Sequence, residues 1–244
     1  MLYKTKGIVL NHLKYGDTSL VATIYCEALG RTSFMVQGVF KKKSKFYPSF
    51  FQPFTLIDLE IDVNPKRDLQ RIKEIGLDHP FQSIPFDPVK SALALFLSEI
   101  LYKTLKEEEP NPPLFEYLYH AIQFLDLKEK GVANFHLAFL INLTKYLGFY
   151  PINDYSETNC IFDPLNGKFL PILTYHGLDT DKMLSKWMSK LINLTFEGLD
   201  GLTMNHQTRN LLLKLIIEFY NLHLGGLTNV KSLPVLQSVF EETD

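Results

Sequence analysis

At 244 residues the chain is too long for a peptide-sized or disulfide-stapled fold and fits one large domain or two small ones. With 46% hydrophobic and 21% charged residues, and 13 each of Gly and Pro, it folds by burying a core and is neither disordered nor fibrous. Its formal net charge of −2, taken whole, argues against a nucleic-acid binder, because phosphate contact ordinarily shows as a basic excess. Cys26 and Cys160 can close at most one disulfide, and the first 20 residues hold no apolar stretch of signal-peptide length, so a cytoplasmic protein is expected. The longest apolar runs, Ala92 to Leu101 and Leu211 to Leu224, are broken by charge or fall short of the ~18 residues of a membrane span. They predict core helices with no membrane role.

From Lys4 to Leu77 the sequence reads as β. GIVLNHLKY, SLVATIYCE and RTSFMVQGV are rich in Val, Ile, Thr, Tyr and Phe and are separated by Tyr15-Gly16-Asp17 and Leu29-Gly30-Arg31, which predicts three strands and two hairpin turns. PFTLIDLEID alternates Leu56, Asp58, Glu60 and Asp62 against Ile57, Leu59 and Ile61, the period of a half-buried strand. QRIKEIGL supplies a fifth strand whose inner face is ambiguous. Five short strands in about 75 residues suggest a small closed barrel, an arrangement that leaves no exposed edge.

After His79-Pro80 the period becomes helical. Asp87 is a candidate N-cap for SALALFLSEILYKTLKEEE, which the Glu107 to Glu109 run and Pro110, Pro112 and Pro113 end. PLFEYLYHAIQFLDL and NFHLAFLINLTKYLG follow, with Gly148 placed as a C-cap. Residues 151–180 are rich in Asn, Asp, Gly and Pro without periodicity, an irregular insertion longer than compact domains usually keep. Helical patterns resume over Asp181 to Leu194, His206 to Leu224 and Leu233 to Phe240.

The densest charge cluster is Lys41, Lys42, Lys43 and Lys45, interleaved with Phe40, Phe46, Tyr47, Phe50 and Phe51. Lysines neutralise phosphates and aromatic faces stack unpaired bases, so a basic loop among aromatics on a small barrel suits a single strand; the plain alternative is a solvated loop with core aromatics. Charge by region favours the first reading. Residues 1–77 carry 12 basic against 7 acidic groups, a net +5, and the remaining 167 carry 13 against 20, a net −7. A basic barrel and an acidic helical body fit an electropositive binding face better than the total does.

Other chemistry is poorly provided for. Cys160, with Asp163 at the CxxD spacing and His176 16 residues on, falls short of the four Cys/His ligands of structural zinc. His120 and His136 lie on helices, where partly buried side chains are expected. There is no GxSxG elbow, Gly-rich phosphate loop or HExxH. Asp58, Glu60 and Asp62 share a strand face, which leaves open a divalent-ion hydrolase, but no nucleophile or phosphate cradle accompanies them. A solvated outer face is the simpler reading.

The order of these features resembles the bacterial RecO recombination-mediator family. The matching residues are the GIVL strand (Gly7 to Leu10), Tyr15-Gly16-Asp17, Gly30-Arg31, Gly38 with the basic Lys41 to Lys45 loop, Gln52-Pro53 ahead of the fourth strand, and LTKYLGFYP from Leu143 to Pro151. The resemblance implies an α+β multidomain protein: an OB-fold five-stranded barrel over 1–78 and an all-α domain over 79–244, with 151–180 replacing the family's zinc finger. It implies binding of single- and double-stranded DNA, strand annealing and, with RecR, loading of RecA on SSB-coated DNA in the RecF pathway, RecF itself being reached indirectly. The role is non-enzymatic and the location cytoplasmic, at the nucleoid. The expected DNA contacts are Lys41, Lys42, Lys43 and Lys45, with Lys6, Lys14, Arg31, Phe40 and Phe46 in support. Arg209 and Lys145 are the candidate anchors for the acidic C-terminal tail of SSB. Many members carry four zinc-binding cysteines where this chain has only Cys160, so zinc is expected to be absent and the insertion to be held by Phe162, Phe169, Leu170 and Ile172. The alternative is a protein-interaction scaffold that does not touch DNA.

Overall fold

The computed structural model describes residues 2–129, 131–172 and 180–241. The chain forms two compact units, Met1–Asp126 and Leu127–Asp244.

In the first unit, strands β1 (Leu2–Tyr15), β2 (Ser19–Cys26), β3 (Gly30–Val36), β4 (Leu56–Asp62) and β5 (Arg71–His79) form one antiparallel sheet in the order β3-β2-β1-β4-β5. The two outer strands meet at one parallel bridge, where Gln70 N–H donates to the Ser33 carbonyl at 2.9 Å and Met35 N–H to the Gln70 carbonyl at 3.0 Å. The expected closed barrel is therefore corrected: the sheet is an OB-fold whose last seam is a single bridge, because only the residue before β5 reaches β3. Val9, Leu20, Ile24, Phe34, Phe51, Ile57 and Ile61 fill the interior.

The ambiguous face of β5 has a structural cause. Ile61 faces Ile72 across the pair, whereas Glu60 faces Glu74, so Lys73 is the extra residue of a β-bulge. The inward set passes from Ile72 to Ile75 across it, and no single alternation describes the strand. A second bulge in β1, at Leu10, coincides with the point where β1 leaves β4; its β4 pairs run only from Leu2 to Ile8, while its β2 pairs continue to Tyr15.

Two helices complete this unit, so packing carries it past the change of period at residue 79. Helix α1 (Pro88–Thr104) is capped by Asp87, which accepts from the N–H groups of Val89 and Lys90, and Ser98 of α1 donates to the Leu10 carbonyl. It ends earlier than the Glu107 to Glu109 run suggests, because residues after Thr104 turn to extended backbone. Helix α2 (Pro112–Leu127) ends in a buried polar knot. Asp126 accepts from the N–H groups of Gln82, Ser83 and Ile84 at 2.9 Å each, and Lys90 Nζ donates to Ser83 Oγ at 2.6 Å and to the Asp126 carbonyl at 2.9 Å.

In the second unit, helix α3 (Phe135–Leu147) is apolar on nearly every side and central, and Gly148 caps it at φ 84°. The insertion is not wholly irregular: β6 (Ile161–Asp163) and β7 (Lys168–Leu170) form a hairpin, too short for a readable period. Helices α4 (Lys182–Ile192), α5 (His206–Leu224) and α6 (Leu233–Glu241) follow. Tyr220 of α5 donates to the Leu140 carbonyl at 2.6 Å inside this core. No described helix is long and apolar enough to cross a membrane.

Burial works against the Asp126 charge, yet the backbone donors that surround it hold its carboxyl below the usual range. The stability it lends is therefore complete above the ordinary carboxylate pKa and is lost as pH falls through the lowered folded value. Asp126→Asn is expected to cost about 2 kcal/mol at neutral pH, the scale of hydrogen bonds to a charged group, and to flatten the acid limb of the stability curve below pH ~4. Urea unfolding across pH tests both.

Candidate nucleic-acid interface

The basic loop is pinned at both ends and open between them. Gly38 takes a left-handed φ of 75° and starts a turn in which Lys41 N–H donates to the Gly38 carbonyl. Val39 enters the barrel core on one side and Phe46 on the other, and Ser44 Oγ bonds both the N–H and the carbonyl of Phe46. Phe40 N–H donates to the Thr18 carbonyl, which holds the loop beside the β1–β2 turn. Between these anchors Lys41, Lys42 and Lys43 project into solvent, and no carboxylate among the described residues lies within ion-pair distance of them. Lys45, also exposed, donates to the Lys73 carbonyl at 2.7 Å, so the bulge of β5 brings a further exposed lysine to the loop. Sequence reasoning misses Lys73, whose only signal is the broken alternation of its strand.

The aromatics divide differently from expectation. Phe46 is only 8% exposed and belongs to the core, and this burial leaves no free face for a base. Tyr47 (59% exposed) and Phe40 (44%) do. Lys14 Nζ stands 5.8 Å from the Phe40 ring centroid, within cation–π reach and at the edge of the same surface.

Two other expected contacts are committed elsewhere. Arg31 Nη1 donates to the carbonyls of Tyr102 and Leu105 at 2.9 and 2.6 Å, its guanidinium lies over the Tyr102 ring, and its own N–H reaches the Glu107 carbonyl. It thus satisfies carbonyls at the C-terminal end of α1, where a cation is favoured. The neighbouring Gly30 lies so close to the following segment that a Cβ there would fall 2.3 Å from the Glu109 carbonyl oxygen. Lys6 pairs with Asp78 at 2.9 Å and lies over the Tyr119 ring, while Tyr119 donates to Asp78 at 2.5 Å. The bond to Asp78 holds the Lys6 ammonium charged far beyond the ordinary lysine range. Arg31 and Lys6 bind the barrel to α1 and α2; neither is presented as a phosphate contact.

In the second unit Arg209 is buried, its Nε donating to Asn134 at 3.0 Å and its guanidinium over Phe240, so its place is in the core. Beside it, burial drives the His136 imidazole down to about 3, which makes it a neutral core residue. His120 is exposed, its ring edge-on to Tyr119. Lys145 is accessible, 4.6 Å from the Tyr150 ring centroid.

The acidic face of β4 does not form a cation site. Glu60 is 4.0 Å from Lys4 and Asp62 is 3.8 Å from Arg67, and no group of three His, Cys, Asp or Glu among the described residues is placed to hold a metal. The described residues of the insertion do not fit zinc either. Asp163 is buried and accepts from Leu165 N–H and Asn166 Nδ2 in the hairpin turn, Cys160 is a buried free thiol, and His176 lies outside the described residues. Burial pushes the Cys26 thiol up to about 12, leaving no reactive thiolate there.

Arg31→Ala is expected to lower stability by about 2 kcal/mol, by orphaning carbonyls and a packed guanidinium site, and paired thermal melts of the two proteins check this.

Residues 1–81 match the family model described as Recombination protein O N terminal, and residues 85–234 match Recombination protein O C terminal. The two models meet at the linker held by Asp126. The chain is 43% identical over 244 residues to the DNA repair protein RecO of Bacteroides fragilis, covering 99% of this chain and all of the relative. It is 40% identical over 240 residues to that of Phocaeicola vulgatus and 38% over 242 to that of Flavobacterium psychrophilum, each covering 98% of this chain and all of the relative.

Proposed function

The chain belongs to the RecO family of DNA repair proteins, and from that premise we propose that it is a non-enzymatic recombination mediator that grips DNA through the Lys41 to Lys45 loop. The observation that carries this reading is the loop itself: four exposed lysines without carboxylate partners, between the open rings of Phe40 and Tyr47, on an OB-fold. The lysines neutralise backbone phosphates, and Phe40 and Tyr47 stack unpaired bases. Such contacts carry little base information, so binding is indifferent to sequence and serves single and double strands. Two strands whose phosphates are neutralised on one surface repel each other less, which is the physical basis of annealing. Acting with RecR to load RecA on SSB-coated strands completes the role, with SSB engaged through its acidic tail.

Replacing Lys41, Lys42, Lys43 and Lys45 together by Ala is expected to weaken single-strand binding sharply. The slope of log affinity against log salt should fall by about three units, at ~0.7 for each phosphate no longer neutralised. Titration of a labelled oligonucleotide at several salt concentrations reads this, and an unchanged slope would move the site off the loop. Annealing of complementary strands precoated with SSB tests the mediator role, which predicts faster annealing when the protein is added.

We further propose that the insertion is held without zinc. Phe162 and Phe169 are fully buried, with ring centroids 5.2 Å apart, and Phe162 also meets Phe219 of α5 at 5.8 Å. Ile172, expected among these packing residues, is 73% exposed and takes no part; Tyr155, edge-on to Phe169, takes its place. Elemental analysis of the purified protein should find far less than one zinc per chain, and treatment with a chelator should leave the melting temperature unchanged.

A further inference from the structure

The helical unit carries a cationic surface that the basic loop does not explain. Helix α4 turns Leu184, Ser185, Met188, Leu191 and Ile192 inward, which leaves Lys182, Lys186 and Lys190 in one exposed row on the other side. Members four residues apart are separated by about 6 Å along the axis, so the row spans about 12 Å. No acidic residue interrupts it. Asp181, at its head, is used as the N-cap and accepts from Leu184 N–H at 2.7 Å. Among the described residues none of the three lysines lies within ion-pair distance of a carboxylate.

Like charges four residues apart repel, and a helix face that serves only solubility ordinarily interleaves Glu with Lys. The row therefore weakens the helix it sits on and contributes nothing to the core. An aromatic surface borders it. Trp187 is half-buried at the margin of the row, with Lys190 Nζ 4.4 Å from its ring centroid, and the two side chains help line a shallow cavity of about 400 Å³ with Leu194 and Leu202. Tyr150, whose ring carries Lys145, donates its hydroxyl to the Ile192 carbonyl and so brings a fourth exposed lysine to the end of the helix.

We propose that the exposed face of α4 is a second single-stranded DNA site, in which Lys182, Lys186 and Lys190 follow successive phosphates and Trp187 stacks a base. The inference rests on the reading of the chain as a DNA-binding protein, and adds a contact surface to the loop. Evenly spaced point charges beside a π face match a polymer of regularly repeating phosphates and planar bases. An acidic peptide would use the charges and leave the ring without a partner.

Trp187 is the only tryptophan in the chain and reports on this face alone. The test uses the full chain, unlabelled oligo-dT for tryptophan emission and labelled oligo-dT for salt-dependent affinity. In the unaltered protein, oligo-dT is expected to quench Trp187. With Lys182, Lys186 and Lys190 all replaced by Ala, the quench disappears and the salt slope falls by about two units, at ~0.7 per phosphate. The melting temperature does not fall, because mutual repulsion is removed and Ala favours helix. Replacing the same three residues by Arg keeps both signals, and the quadruple loop variant keeps the quench while losing its own share of the slope. If loop-dependent binding persists while Trp187 stays silent and the α4 variant keeps its slope, the α4 site is overturned and the loop reading stands. If an Asp-rich peptide quenches Trp187 and oligo-dT does not, the row serves an acidic protein partner and the proposal fails. Absence of salt-dependent binding by the unaltered chain overturns both readings.

Discussion

Burying the Asp126 carboxylate is made tolerable chiefly by three backbone N–H groups that converge on it, and those groups belong to the segment that joins the barrel to α1. The end of α2 and the start of α1 are thereby fixed to one another at the rim of the sheet. Lys90, itself buried, joins the same knot through Ser83 and the Asp126 carbonyl. At the other end of α1, Arg31 takes two carbonyls that the helix leaves open, and along α2 Tyr119 locks onto Lys6 and Asp78. Helices so attached belong to the barrel, which is why the first compact unit runs to Asp126 and not to the last strand.

This attachment also decides which cations remain for a ligand. Lys6 and Arg31 look in sequence like members of a basic barrel face, yet their charge is consumed on the helix side. Lys41, Lys42, Lys43, Lys45, Lys14 and Lys73 stay exposed, with no ion pair to α1 or α2 among the described residues. The acidity that offsets the barrel is likewise local: residues 78–126 hold 3 basic and 8 acidic side chains, whereas 127–244 hold 10 and 12. The acidic character expected of the whole helical body thus belongs mainly to the two helices fastened to the barrel.

The strands are readable in sequence wherever one face is buried along the whole run, as in β4, where Ile57, Leu59 and Ile61 point inward as their alternation predicts. They are not readable where a bulge reverses the faces, as at Lys73, or where three residues make a strand, as in β6. The lysine loop is evident because exposed charge is dense there. Sequence does not separate Phe46 from Tyr47, because both flank the same loop and only the path of the backbone decides which ring enters the core. Nor does it reveal that Arg31 faces helix carbonyls, since those partners lie about seventy residues away. The α4 row escapes notice because its lysines are spread four apart and never form a run.

The bulge at Leu10 has a consequence for solubility. Beyond it β1 keeps β2 on one side and pairs with no other described strand, so the stretch through Tyr15 is a strand edge with Leu13 and Tyr15 largely exposed. Such a margin invites a second copy to add its own strand, the first step of edge-to-edge aggregation. Lys14 stands exposed in that stretch, and a charged side chain on a strand edge works against such pairing, whatever else it binds.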